Sequence, residues 1–242
     1  MIPILFLAVT LADLPGGDAA RFDACTKLIK SSPAEALLQA QAWGMRSTDI
    51  PAQHCLGLAF VASERWEPAA LVFETAAREA ERRRDGRAAT MWTQAGNAAL
   101  AADDPSRARD FIDKALAMPN VPDQLKGEAW IDRGRADVAL RDLPTARYDL
   151  DKAVKLVPAD PFAWLLSATL ARRQNDLVRA QSEIETAMKL APEDAAVAVE
   201  AGNIAALAGK REAAKVAWAH AVEVAPDTPE GQAAAAALAQ ND

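Results

Sequence analysis

The chain has 242 residues, a formal net charge of −7 and a sequence pI near 5.0, a balance that argues against a nucleic-acid partner. Hydrophobic residues make up 51% and aromatics 5%, which excludes an aromatic-rich sandwich or barrel and, at a mean hydropathy of −0.08, a disordered or membrane-embedded chain. Alanine, the best intrinsic helix former, supplies about a quarter of the residues.

In chain order, the first feature is the apolar run Ile2–Leu11, IPILFLAVTL. It is too short to span a bilayer but suits the core of a signal peptide, and Thr10-Leu11-Ala12 reads as a small-x-small processing site. No Lys or Arg precedes the run. Residues 1–20 are read as a leader and the chain as exported to the periplasm; the alternative is a cytoplasmic protein whose apolar N-terminus packs on its first helix. Cys25 and Cys55 fall on the first helices of neighbouring hairpins. In an exported chain they are candidates for a disulfide pair, with two buried free thiols as the alternative. Their spacing fits no metal site.

Beyond them the chain repeats. Pro158, Pro192 and Pro226 close the similar phrases DKAVKLVP, ETAMKLAP and AHAVEVAP at a strict period of 34 residues. Trp92 and Gly96 are four apart, as are Trp130 and Gly134; Trp164 has Ala168 in the Gly slot, and Gly57 and Gly202 fill it elsewhere. A second element pairs Ala69 with Phe73, Ala108 with Ile112, Ala146 with Leu150, Ala180 with Ile184 and Ala214 with Trp218. Small residues allow two helices to approach and large ones fill the space above them. Asp104-Pro105 and Asp160-Pro161 read as an N-cap followed by Pro in the first helical turn.

With these residues in place, the chain resembles the tetratricopeptide-repeat (TPR) family. The resemblance implies an all-α fold: an α-solenoid of tandem antiparallel helical hairpins with a C-terminal capping helix. A degenerate unit covers 21–49, with helices near Ala20–Lys30 and Pro33–Trp43. Further units cover 50–88, 89–126, 127–160, 161–194 and 195–228, and 229–242 form the cap. The unit 50–88 carries a long second helix running to Arg84, and the unit 89–126 a longer linker through Pro119 and Pro122. Within the repeat, Arg133, Asp137 and Arg141 stand where neighbouring units carry apolar or small residues. Their spacing suggests a charged ladder on one helix face.

The resemblance also implies function: a non-catalytic interaction scaffold that takes a peptide or protein in a concave groove lined by the first helices. Candidate groove residues are Thr90, Thr93 and Asn97, then Glu128 and Arg135, then Phe162, Thr169 and Arg172, then Asn203. An Asn at such a position grips a peptide backbone, and an Arg pairs a carboxylate. Self-association through the solenoid ends or convex face is a second reading, and an accessory subunit of an enzyme complex a third. No phosphate-binding loop and no nucleophile–base arrangement is present, so no catalytic residue, metal ligand or cofactor is expected. No integral membrane span is expected either.

Overall fold

The computed structural model describes residues 17–45, 47 and 49–241. The apolar run and its processing site lie outside the described residues. Thirteen helices and no strand occur among the described residues. The first helices of the hairpins are α1 (Gly17–Ser31), α3 (Ile50–Ala62), α5 (Ala88–Ala101), α7 (Asp123–Ala139), α9 (Pro161–Arg173) and α11 (Ala195–Leu207). Their second helices are α2 (Pro33–Gly44), α4 (Trp66–Arg83), α6 (Pro105–Ala117), α8 (Leu143–Leu156), α10 (Leu177–Leu190) and α12 (Arg211–Val224), followed by α13 (Pro229–Gln240).

Two boundaries differ from the sequence reading. The first helix starts at Gly17, ahead of the expected Ala20. Helix α7 starts at Asp123, ahead of the expected unit boundary at 126, so Asp123 and Gln124 belong to it and not to the linker.

The chain divides into two compact units. Unit 1 comprises Met1–Val121 with Arg135–Leu140, and unit 2 comprises Pro122–Gly134 with Arg141–Asp242. In unit 1, α3 packs on α4, α4 on α5 and α5 on α6, around Trp43, Phe60, Phe73, Trp92 and Phe111. In unit 2, α8 through α13 pack in succession. Its core falls into three clusters, around Ile131 and Val157, around Leu165 and Ile204, and around Trp218 and Ala234.

The repeat slots explain this packing. A Cβ on Gly57 would collide with the Phe73 ring, and one on Gly202 with the Trp218 indole. At Gly96 it would lie 2.5 Å from Ile112 Cγ1, and at Gly134 3.1 Å from Leu150 Cγ. Each large residue of the second helix therefore seats on the small residue of the first helix of its own hairpin. Ala168 and Ile184 in the fifth hairpin, 0% and 3% exposed, lie in one core cluster.

Helix ends follow local rules. The carboxylates of Asp104, Asp142, Asp160, Asp176 and Asp194 accept backbone N–H bonds from the first turns of α6, α8, α9, α10 and α11, satisfying donors that a helix start leaves orphaned. The turn inside a hairpin repeats a left-handed residue at Glu64, Asp103, Arg141, Asn175 and Gly209. Around it, the Asp104 N–H bonds Ala99 O, and those of Asp176 and Lys210 bond Ala171 O and Ala205 O. This is the Schellman closure of a helix C-terminus.

At the N-terminal end a disulfide joins Cys25 of α1 to Cys55 of α3, with their Cα atoms 6.1 Å apart and both residues fully buried. At the other end Thr228 caps α13, whose Ala234 is buried against α12.

Candidate functional site

The first helices carry the candidate positions, and each unit presents its own set. In unit 1, Asn97 is exposed and Thr90 and Arg135 are half-buried. Thr93 departs from the expectation of a groove contact. It is 6% exposed, and its hydroxyl donates to Ala89 O at 3.0 Å, within its own helix. The cause is its place beside Trp92, on the side of α5 that faces the core.

In unit 2, Glu128 is exposed and accepts from Gln124 Nε2 at 2.9 Å. Phe162 is 44% exposed at the start of α9. Thr169, two turns further on the same face, donates its hydroxyl to Leu165 O at 2.9 Å. Arg172 completes the row, and its Nε and Nη2 donate to Glu200 of α11 at 2.6 and 3.1 Å. Glu200 is 6% exposed, so the pair is a fork fixed between two helices and not a loose surface contact. Asn203 is half-buried and its Oδ1 accepts from Trp218 Nε1 at 3.2 Å. It braces the indole that fills the Gly202 slot.

The charged positions of the fourth hairpin have partners beyond their own helix. Arg133 donates from Nε and Nη2 to Asp149 of α8 at 2.8 and 2.7 Å, and Asp149 is fully buried. The Arg133 guanidinium also lies over the Trp130 ring, 4.3 Å from its centroid. Asp137 is fully buried with Arg109 Nη1 3.5 Å from its Oδ1. Arg141 sits past the helix, exposed at φ 63°.

A second network joins α8, α9 and α10. Arg147 donates to Ser167 O at 3.1 Å and to the Ser167 hydroxyl, and pairs with Asp151 at 3.0 Å. Arg179 bonds Asp151 and, at 2.8 Å, Glu183. Burial holds the Arg147 guanidinium below its ordinary range.

Sequence reasoning passed over these pairs, although a signal was present. Arg109 and Asp137, Arg172 and Glu200, and Asp151 and Arg179 are each 28 residues apart. An acid and a base at the repeat length less about one and a half turns meet across successive hairpins.

His54 also acquires an environment that its sequence neighbours do not announce. Phe22 of α1 packs on its ring at 4.7 Å, and Phe73 meets it edge-on at 6.2 Å. Burial, reinforced by the positive charge of Arg87 and opposed by Gln94, lowers the imidazole to about 4. Met188 of α10, Ala198 of α11 and Glu212, Ala213, Val216, Ala217 and His220 of α12 line a mainly apolar trough of about 420 Å³. Among the described residues, no group of three or more His, Cys, Asp or Glu side chains comes together to hold a metal, and no helix is long and apolar enough to cross a membrane.

No family model and no curated protein matches the chain. Solved structures do. PilW, a widely conserved type IV pilus biogenesis factor, is similar at a TM-score of 0.74 and 17% identity, over 89% of this chain and 96% of that one. The pilF protein of Pseudomonas aeruginosa gives 0.70 and 16%, over 92% and 100%. YrrB, a TPR protein with an unusual peptide-binding site, gives 0.56 and 22%, over 89% and 98%. Identities this low establish likeness of fold, while function resides in the particular side chains displayed. With small and large slots interlocked hairpin by hairpin, and with these structures as its neighbours, the chain has the fold of tetratricopeptide-repeat proteins.

Proposed function

We propose that the chain is a non-catalytic scaffold that holds a peptide or protein partner against the first helices of its hairpins, outside the cytoplasm. The observation that carries this reading is the α9 row. A large aromatic side chain, Phe162, stands 44% exposed in a protein whose Phe60, Phe73 and Phe111 are core. It is followed on the same face by Thr169 and by an Arg172 already oriented by Glu200. An exposed ring beside fixed polar groups is the composition of a binding surface, because the ring supplies contact area and the fixed groups cost little ordering. The peptide-binding site of YrrB and the pilus role of PilW, both on this fold, support the partner class and the exported location.

Site-specific photo-crosslinking in the native cell tests the reading. A photoreactive residue replaces Asn97 or Phe162 on the first-helix faces, or Val216, 71% exposed on α12. The same protein adduct is expected from the first two positions and not from the third. Adducts from Val216 alone, or only with a second copy of this chain, would overturn it. Intact mass of the mature protein tests the location. A start near Asp13 with the Cys25–Cys55 bond formed is expected, and a reduced chain retaining Met1 in the cytosol would refute export.

A further inference from the structure

We propose that the Cys25–Cys55 bond is a redox latch on the first hairpin: when it is broken, α1 leaves α3 and the α1–α3–α5 face of unit 1 opens, while the remaining hairpins of that unit stay folded. The inference is independent of which partner the scaffold takes.

Three observations carry it. First, α1 is held by little else. Cys25 is its one buried residue, and Phe22, Ala24 and Ile29 are only partly covered. Helix α5, in the middle of the unit, buries nine residues. A short helix without a buried apolar face does not persist alone in water. Second, the bond skips α2, which has its own anchors. Trp43 is 2% exposed, and Gln53 of α3 donates to Gly44 O and Ser47 O at 3.2 and 3.0 Å, fastening the α2–α3 connection. Loss of the bond therefore frees α1 and leaves α2 docked. Third, α1 covers a specific group. Phe22 lies on His54 at 4.7 Å, and the charge acting on that imidazole from the neighbouring helix is Arg87, at the N-terminal end of α5. When α1 departs, His54 becomes hydrated and available at the surface of α3.

The chemistry requires a dithiol reductant. One of its thiolates attacks a sulfur of the bond to give a mixed disulfide and a cysteine thiolate. Its second thiol then displaces the other cysteine, so that the dithiol leaves as a cyclic disulfide and both cysteines take up protons. Both cysteine residues are 0% exposed, so attack has to wait for α1 to lift. The reduction rate should therefore level off as dithiol concentration rises.

Hydrogen exchange read by mass spectrometry on the full chain, oxidised and after dithiol reduction, tests the latch. The expected loss of protection in α1 is on the order of several hundred-fold, from the loop entropy that a bond spanning about 30 residues removes, with α5 and α6 unchanged. The His54 imidazole, followed by NMR, should titrate near 4 when oxidised and move toward the ordinary 6.5 when reduced. The Cys25→Ser/Cys55→Ser chain should match the reduced wild type, which carries the test if the variant does not fold. Unchanged α1 exchange and an unmoved His54 titration in a chain shown by alkylation to be fully reduced would overturn the proposal. So would loss of protection spreading through α5 and α6.

Discussion

Replacing Gly57 by alanine isolates the interlock on which the repeat depends. The new methyl would stand 2.6 Å from Phe73 Cδ1 and 2.7 Å from Cζ, where carbon atoms prefer about 3.5 to 4.0 Å. The ring has to retreat by about 1 Å, yet Phe73 is 1% exposed and meets His54 edge-on. Overpacking of this kind costs about 1 to 3 kcal/mol, and a rigid ring in a closed core places it at the upper end. The gain in helix propensity on leaving glycine returns about 1 kcal/mol, so Gly57→Ala should lose about 2 kcal/mol. Gly134→Ala is the internal control. Its methyl would lie 3.1 Å from Leu150 Cγ, a gap that a rotatable leucine closes by yielding a few tenths of an ångström. Propensity then wins, and the variant should be neutral or up to about 1 kcal/mol more stable. Urea unfolding followed by helical circular dichroism compares the two. Hydrogen exchange of α3 and α4 locates the loss, because repeat arrays do not always unfold as one step. A Gly57→Ala protein as stable as Gly134→Ala would refute the close-approach account of the Gly slots.

Further expectations concern single groups. Arg133→Ala leaves Asp149 buried without its fork and should cost about 3 to 5 kcal/mol, whereas Arg133→Met with Asp149→Leu should recover most of that; urea midpoints decide, and equal losses in both would contradict the assignment. His54 stays neutral in the fold down to about 4 but takes up a proton near 6.5 when unfolded. Stability should therefore be full above pH 6.5 and fall as pH drops from there toward 4, by about 2 kcal/mol between pH 6.5 and 5. Glu79 and Asp85, lowered to about 2, act only below that window, and His54→Gln should flatten the slope. Arg141 occupies a left-handed position at φ 63° that L side chains adopt at a cost. Arg141→Gly should raise the unfolding midpoint by about 0.5 to 1 kcal/mol, less the entropy of an added glycine. A lowered midpoint would count against the strain.

The fold was legible because its determinants recur. A small residue at Gly96, a large one at Ile112 and a cap at Asp104 are each weak signals, and their return hairpin after hairpin makes them one strong signal. The same logic accounts for the left-handed turn residues, whose period is visible only after the backbone is known because Glu64, Asp103, Arg141 and Asn175 share no side-chain type. What escaped were contacts set by how a helix is rolled between its neighbours. Thr93 adjoins Trp92, and a small rotation decides whether it faces solvent or core. Asp149 precedes Leu150 of the large slot, and only its burial shows that Arg133 has to follow it inward.

These inward-turned groups reshape the binding question. On a first-helix face, Asn and Arg are the residue types that would read a peptide backbone or carboxylate. In unit 2 the oxygen of Asn203 is engaged by Trp218 and the Nε–Nη2 edge of Arg172 by Glu200. A partner carboxylate seeking that edge would have to displace Glu200 and leave it buried and unpaired, a cost comparable to the new bond gained. That edge of Arg172 is therefore not open to a chain-terminal carboxylate while the Glu200 fork is in place. On the proposed reading, contact at this face runs through the exposed Phe162 ring, flanked by polar groups whose positions are fixed before anything binds.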